Sequence, residues 1–213
     1  MTIRIIYPPR PKGKMSHVDL AYYEKSGKWI AQRKFRGSRC VIYISVDRQV
    51  ICGNRHGAEF VRFKFDASYK EELLDVLNLE EGQSYWLDGE LMNKDKNATN
   101  EIIFFDVLQA GRYFFGGPSQ MDRLDILKRI CGHPQKKCTQ NIALEVSKRF
   151  WMAETFEHGF LERFNESLHS ENLEGLVLRK KDSALDNFGI REYETTNLVR
   201  CRKKFSKDKG YEF

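Results

Sequence analysis

Seven short runs rich in β-branched and aromatic residues are distributed along the whole chain, and they constrain the fold more than any other feature of the sequence. Polar or turn-forming stretches separate them, as expected for strands that turn back toward their neighbours. We therefore predict paired strands with polar chemistry at strand ends and in turns. The runs are WIAQRKF (29–35), RCVIYISV (39–46), QVICGN (49–54), SYWLDGELM (84–92), EIIFFDVL (101–108), EGLVLRKK (174–181) and NLVRCRKKF (197–205).

Helical patterns lie between these runs. Short helices are predicted over 17–25 and 69–77, and Ser119 to Asp122 forms a capping-box-like start for a helix that ends near residue 131. A longer helix is predicted from about Val146 to Leu168. In that helix one face would carry core-packing apolar side chains, namely Phe156, Phe160, Leu161, Phe164 and Leu168.

Three prolines in residues 1–14 predict an extended lead-in. No internal repeat or low-complexity tract divides the chain, so we expect one domain over 1–213. The predicted fold class is α+β, with strands outnumbering helices.

The composition indicates a folded, soluble chain. Of the 213 residues 41% are apolar and 13% aromatic, and no apolar run approaches the ~20 residues of a membrane span. The first ten residues lack the apolar core of a signal peptide. Five cysteines, an odd number spread widely, argue against a disulfide framework. These features exclude a membrane protein and favour the cytoplasm.

The charge balance indicates a polyanionic partner. Lysine and arginine exceed aspartate and glutamate by six, and the isoelectric point is about 9.0. An excess of this size is common in proteins that do not bind nucleic acid. It is informative only beside specific chemistry.

The most informative stretch is QRKFRGSR, residues 32–39. Lys34 ends a predicted strand, and Gly37 would allow a tight turn after it. Arg36 and Arg39 would supply positive potential that binds phosphate and disfavours the protonated form of the amine, which a nucleophilic lysine requires. Taken alone, this pattern is more typical of an exposed basic turn.

Five further motifs follow in a fixed order. Each is common by itself, because Asp-Gly is an ordinary turn and paired phenylalanines usually belong to a core. The ordered set is far less expected by chance. The motifs are GNRHG (53–57), LDGEL (87–91), FFDVL (104–108), EGLVLR (174–179) and VRCRK (199–203).

With these motifs the sequence resembles the covalent nucleotidyltransferase superfamily, and within it the ATP-dependent polynucleotide ligases, over about residues 5–205. YPPRPKGKM and WIAQRKFRGSR look like the start of compact, phage-type ligases. The resemblance implies a ligase-type adenylation domain of antiparallel sheets flanked by helices. It also implies ATP and Mg²⁺ or Mn²⁺ as cofactors.

The same resemblance implies a role for each matching residue. Lys34 would attack the α-phosphorus of ATP, expel pyrophosphate and hold AMP as a phosphoramidate. Gln32 would read the adenine edge, Glu90 would bond the ribose and Phe105 would stack on adenine. Glu174 would help to place the divalent cation. Arg39 and Arg55 would meet the ribose and phosphate side of the nucleotide or the incoming 5′-phosphate. The remaining matches are Gly37 of the lysine motif and three cations that would bind phosphate, Arg179, Arg200 and Arg202.

Three features depart from the family pattern. Arg36 stands where aspartate is commonest, and Arg179, Arg200 and Arg202 replace lysines. Ligases of this family normally append an OB-fold domain, whereas only about ten residues follow Arg202. We therefore expect no OB-fold. Without that domain, cations near the two ends of the sequence would have to bind the substrate, unless they are simply exposed to solvent. These cations are Arg4, Arg10, Lys12 and Lys14 near the start, and Lys203, Lys204, Lys207 and Lys209 in the basic tail 203–213.

The leading hypothesis is a monomeric ligase of a bacterial or phage-infected cell, without a membrane partner, that seals 5′-phosphate to 3′-hydroxyl ends, most readily in nicked DNA. One alternative is a ligase for RNA or mixed RNA–DNA. Another is a catalytically silent nucleic-acid-binding module of the same fold, which Arg36 and Arg179 would favour. Retention of Lys34, Glu90 and Glu174 weighs against silence, since a pure binder has no need for an amine beside two carboxylates.

Overall fold

The computed structural model describes residues 6–93, 98–111, 113–114, 117–135, 142–185 and 191–203. Two β-sheets form the centre of the molecule. Sheet A has the strand order β1-β12-β11-β2-β10. Its strands are β1 (Arg10–Met15), β2 (Trp29–Phe35), β10 (Thr155–Phe156), β11 (Leu173–Lys180) and β12 (Glu194–Arg202).

Sheet B has the order β4-β3-β5-β6-β9-β8, and a short strand, β7, pairs with β6. Most pairs in this sheet join strands that are near in sequence, as the predicted hairpins require. Its strands are β3 (Ser38–Ile44), β4 (Val50–Asn54), β5 (Tyr85–Leu91), β6 (Ile102–Ala110), β7 (Tyr113–Phe114), β8 (Ala143–Glu145) and β9 (Phe150–Ala153).

Four α-helices occur in the described part of the chain. They are α1 (Leu20–Lys25), preceded by a 3₁₀ turn at His17–Asp19, α2 (Ala67–Val76), α3 (Gln120–Ile130) and α4 (Phe160–Leu168). The predicted start of α3 is confirmed, because Ser119 and Asp122 exchange side-chain and backbone hydrogen bonds in a capping box. No described helix is both long enough and apolar enough to span a bilayer.

The α+β class is confirmed, but the sheets are mixed and not purely antiparallel. The parallel pairs are β1 with β12 and β6 with β9. Short hairpins force antiparallel pairing, whereas strands joined through long intervening segments can run in either direction. Both parallel pairs join strands that are distant in sequence.

The long helix predicted from Val146 to Leu168 is wrong in its first half. Residues 150–153 form β9 beside β6, and residues 155–156 form β10 beside β2, so sheet pairing overrides helical periodicity. The helix begins only after Gly159, whose φ is +74°. Phe156, Phe160 and Phe164 are core residues as predicted, whereas two leucines of the proposed stripe are exposed, Leu161 by 45% and Leu168 by 50%.

Each sheet buries one face under helices. Helices α1 and α4 cover sheet A, where Phe160 and Phe164 pack on Leu176, Leu178 and Val199. Helices α2 and α3 cover sheet B through apolar side chains such as Leu73, Leu127 and Ile130. The opposite faces of the two sheets approach each other. The candidate site lies between them.

Candidate active site

A cavity of about 240 Å³ opens between the two sheets. The lead-in segment, including Tyr7 and Pro8, forms part of its wall. Four strands of sheet A (β1, β2, β11 and β12) and three of sheet B (β3, β5 and β6) supply most of the rest. Eight of the site residues predicted from sequence line it: Gln32, Lys34, Arg39, Arg55, Glu90, Phe105, Arg179 and Arg200.

Strand alternation explains the convergence within sheet A. Gln32 and Lys34 are two residues apart on β2, so their side chains share a face. On β11, Val177 lies opposite Gln32, and on β12 Arg200 lies opposite Val177. The register therefore extends the cavity face across three neighbouring strands. Several intervening residues, namely Ala31, Leu176, Leu178 and Val199, pack toward the helices.

The Lys34 amine is held by a carboxylate. Lys34 Nζ donates to Glu174 Oε2 at 2.5 Å, and Arg202 Nε lies 3.4 Å from the same oxygen. Glu174 is only 9% exposed. Arg202 does not line the cavity, and its side chain is 46% exposed. The structure thus links the predicted nucleophile to the predicted metal residue, with Arg202 reaching the site through that carboxylate.

Two glycines of the motifs are required by close backbone packing. A Cβ on Gly37 would lie 2.4 Å from the carbonyl oxygen of Leu91 and 2.6 Å from Cγ of Glu90. A Cβ on Gly175, where φ is +130°, would lie 2.1 Å from the oxygen of Cys201. The tight-turn explanation for Gly37 is therefore replaced by close approach. Its backbone N–H donates to Glu90 Oε1 at 3.0 Å and so positions that side chain.

Phe105 lies between the sheets with two guanidinium groups against its ring. The Cζ atoms of Arg39 and Arg179 each lie 5.1 Å from the ring centroid. Arg39 Nε donates to Asp88 at 2.7 Å, and Arg179 Nη1 donates to Asp106 at 2.9 Å. Both arginines are therefore oriented by buried acids.

Those two aspartates are fully buried register partners on β5 and β6, and their environments differ. Burial raises the pKa of Asp88, and Arg39 offsets this only in part. Burial also acts to raise the pKa of Asp106, but Arg123 and Arg179 outweigh it and lower that pKa. Asp106 thus remains a carboxylate that holds two guanidinium groups.

Sequence reasoning missed the roles of Asp88, Asp106 and Arg123. The two aspartates were included only as letters of the LDGEL and FFDVL motifs. An ionisable residue within an apolar strand requires a buried partner. This requirement could have marked both aspartates from the sequence as members of buried ion pairs. The identity of the partner could not be read, because Arg123 lies on α3 and is brought to Asp106 only by the packing of that helix.

Three buried polar atoms around the cavity have no hydrogen-bond partner within the described residues. They are Oε1 of Gln32, Nε of Arg179 and Nε of Arg200. Gln32 Nε2 donates to the Phe105 carbonyl at 3.3 Å and to Thr155 Oγ1 at 3.2 Å. Because a carbonyl can only accept, the amide nitrogen must face Phe105. The site thus offers an acceptor at Gln32 and donors at the two arginines.

The predicted cations at the chain ends are placed differently. Lys12 and Lys14 are exposed on β1. Lys203, predicted either to bind substrate or to be solvated in the tail, donates to the carbonyls of Ser167 in α4 and Ser170 after it, and burial lowers its pKa. Lys204, Lys207, Lys209 and Arg4 lie outside the described residues.

A divalent cation would find only part of a coordination shell here. The described residues contain no cluster of three or more His, Cys, Asp or Glu side chains suited to a metal. Glu174 offers one carboxylate beside Lys34. Mg²⁺ commonly takes one or two carboxylates and completes its shell with phosphate oxygens and water, so Glu174 fits an ion that arrives with a nucleotide.

Solved structures with a similar fold are DNA ligase domains. The ligase domain of M. tuberculosis LigD matches with a TM-score of 0.63 and 15% identity, covering 93% of this chain and 60% of that one. A mycobacterial DNA ligase D complexed with ATP and MES matches with a TM-score of 0.61 and 16% identity, covering 95% and 62%. A Lig E DNA ligase, described as binding DNA with a minimal scaffold, matches with a TM-score of 0.53 and 12% identity, covering 93% and 70%.

No family model matches the sequence, and no curated protein matches it either. The chain spans about three fifths of the length of the two ligase D structures. The likeness in structure nevertheless extends over nearly all of this chain. The protein therefore shares the fold of these DNA ligase domains, as the resemblance of its motifs predicted.

Proposed function

We propose that this protein is an ATP-dependent polynucleotide ligase, a compact one of phage type, that seals 5′-phosphate to 3′-hydroxyl breaks through a Lys34–AMP intermediate. One observation carries the proposal: in a ligase-type fold, Lys34 enters a cavity lined by seven other residues at which the family pattern places nucleotide contacts. The acceptor at Gln32 and the donors at Arg179 and Arg200 suit a ligand with a base at one end and phosphates at the other.

The fixed orientation of Gln32 supports ATP as the nucleotide. Its Oε1 is left as an acceptor, which pairs with the 6-amino group of adenine. Guanine would present a carbonyl there, leaving two buried acceptors face to face. Phe105 would stack on the base, and Glu90, already held by Gly37, would accept from the ribose hydroxyls.

The chemistry of the first step follows from the Lys34–Glu174 pair. Nζ must attack as the neutral amine, so it first gives one proton to Glu174, which is positioned to accept it. The P–N bond then forms as the bond to pyrophosphate breaks, and the second proton leaves the nitrogen to water or to the departing pyrophosphate. Arg179 and Arg200 would neutralise charge that develops on the phosphates. A divalent cation held by Glu174 and the triphosphate would add further neutralisation. AMP would then pass to the 5′-phosphate and leave as the 3′-hydroxyl attacks.

DNA is favoured over RNA by the three similar structures described above, which come from DNA ligases. A silent binding module of the same fold is the rival. Against it stands the short contact between Lys34, which lines the cavity, and the buried Glu174, because a binder does not require an amine paired with a carboxylate at this position.

The decisive experiment is an adduct assay. Protein first stripped of bound AMP with pyrophosphate is incubated with ATP or GTP and Mg²⁺, and its intact mass is measured. We expect one AMP adduct with ATP, far less adduct with GTP, and none in Lys34→Ala. Lys148→Ala, an exposed lysine that does not line the cavity, is the matched control and should react like wild type. Unmodified wild-type protein would establish the silent module instead.

A second assay identifies the strand type. Nicked duplexes of identical sequence in DNA, RNA and mixed form are incubated with the adenylated protein. We expect the highest rate of sealing on DNA. Faster sealing of RNA would overturn the choice of substrate while leaving the ligase proposal intact.

A further inference from the structure

A chain of polar contacts crosses the mouth of the cavity. Glu192, which precedes β12, accepts from Arg10 Nη1 through Oε2 at 3.3 Å and contacts His56 Nδ1 through Oε1 at 2.5 Å. His56 Nε2 lies 2.9 Å from Arg55 Nε. Arg10, Arg55 and Glu192 all line the cavity. We call this group of four residues the mouth cluster.

The direction of these hydrogen bonds follows from their donors. A guanidinium N–H can only donate, so His56 Nε2 is the acceptor toward Arg55. His56 Nδ1 then carries the proton and donates to Glu192. The Glu192 carboxylate thus orients the Arg10 guanidinium and the His56 N–H directly. His56 in turn orients Arg55.

The mouth cluster joins the two sheets. Arg55 and His56 belong to the turn after β4 of sheet B. Arg10 begins β1 and Glu192 leads into β12, both of sheet A. A carboxylate in this position is surrounded by the kind of groups that bind phosphate oxygens.

The contacts of Glu192 are also easily exchanged. The side chains of Glu192, Arg10 and His56 are 38%, 40% and 49% exposed. Exposed ion pairs of this kind contribute only about 0–1 kcal/mol. A phosphate group, with more charge and more acceptor oxygens than a carboxylate, can therefore displace Glu192 at little cost.

We propose that Arg10, Arg55 and His56 form a phosphate subsite at the mouth of the cavity, which Glu192 fills until a phosphate group arrives. This inference rests on the proposed function for its substrates, which offer two sources of that group. One is the outer phosphates of ATP, and the other is the 5′-phosphate of the broken strand. Glu192 acts as an internal competitor for either.

The test removes the competing charge. Glu192→Gln keeps the shape of the side chain, and Glu194→Gln, an exposed glutamate that does not line the cavity, is the matched control. Single-turnover formation of Lys34–AMP gives the apparent affinity for ATP. Sealing of a nick that already carries 5′-AMP, with no ATP present, gives the apparent affinity for the strand.

We expect Glu192→Gln to tighten one of these two affinities about three- to tenfold, and the affected arm identifies the source of the phosphate. Arg10→Ala should weaken the same affinity by a similar factor, and the control should change neither. Unchanged or weaker affinity of Glu192→Gln in both arms would overturn the subsite.

A binding measurement separates this inference from the ligase proposal. Calorimetric titration with inorganic pyrophosphate requires no catalysis, so it applies even to a protein that forms no adduct. Tighter binding by Glu192→Gln than by wild type and Glu194→Gln supports the subsite. For a protein that forms no adduct, equal binding by all three proteins contradicts it.

Discussion

Arg33 and Lys34 are consecutive residues of β2, yet they serve opposite faces of sheet A. Arg33 points toward the helices, is 6% exposed, and pairs with Glu154 at 2.9 Å and Glu166 at 2.8 Å above the Phe156 ring. Lys34 points into the cavity beside Glu174.

The difference between the faces lies in how completely the cations are used. On the helix-covered face both terminal nitrogens of Arg33 have carboxylate partners within the protein. On the cavity face Arg179 and Arg200 each keep a buried N–H without a partner in the described residues. One face therefore stabilises the fold, and the other retains donors for a ligand, at some cost in stability.

The largest expected effect is on the helix-covered face. Phe160 is fully buried between α4 and sheet A, so Phe160→Ala should lower the free energy of unfolding by about 3–5 kcal/mol. Lys34→Ala on the cavity face should stay within about 1 kcal/mol of wild type. Urea unfolding at pH 7 measures both. Equal losses of unfolding free energy in the two variants would contradict the proposed difference between the two faces of sheet A.

Replacing Asp106 tests whether this buried carboxylate stabilises the fold. Asp106→Asn leaves Arg123 and Arg179 without their shared carboxylate and should cost about 3 kcal/mol at pH 7. Since the pKa of Asp106 is lowered in the folded protein, its stabilisation is present above pH ~4 and is lost as the pH falls through the native pKa. Urea unfolding of both proteins from pH 7 to pH 3 should show the difference shrinking at the acid end. A difference that grows toward acid would contradict the lowered pKa.

Arg33 and Arg200 provide the closest matched pair. Arg33→Met should cost about 2 kcal/mol, less than a fully buried pair, because Glu154 and Glu166 keep some contact with solvent. Arg200→Met should leave stability unchanged or slightly higher, because it removes an unpartnered buried donor, while weakening ATP binding. Urea unfolding and the adduct assay together test this. Loss of stability in Arg200→Met comparable to that in Arg33→Met would break the comparison.

The smallest effect concerns thiol reactivity. Burial raises the pKa of Cys131 and of Cys201 to about 12, so neither should react with iodoacetamide at pH 8 in the folded protein. Cys52 is partly exposed on β4 and should be the first of the described cysteines to react. Peptide mapping after labelling identifies the sites, and labelling in urea is the control. Early labelling of Cys201 would indicate that the helix-covered face opens readily.

Local patterns predicted much of this structure. The run WIAQRKF coincides with β2 at Trp29–Phe35, and the capping box fixed the start of α3. Strand alternation within that run is the reason that Gln32 and Lys34 share a face in the structure.

The wrong helix prediction, and the contacts that the sequence did not reveal, both involve residues that are distant in sequence. Residues 150–156 became strands because β6 and β2 offered them backbone partners, which no local window reveals. The pairing of Asp106 with Arg123 and Arg179, and the approach of Glu192 to His56, likewise arise only once the sheets and helices have packed. The placement of Arg202 outside the cavity depends on the same long-range packing.

The parallel pairing of β1 with β12 has a consequence for how the protein matures. One wall of the cavity combines the earliest described strand with the last, so on the ribosome that wall cannot form until residue 202 has emerged. Contacts between such distant segments are slow to form. Closure of this wall should therefore be among the late events in the folding of the described residues.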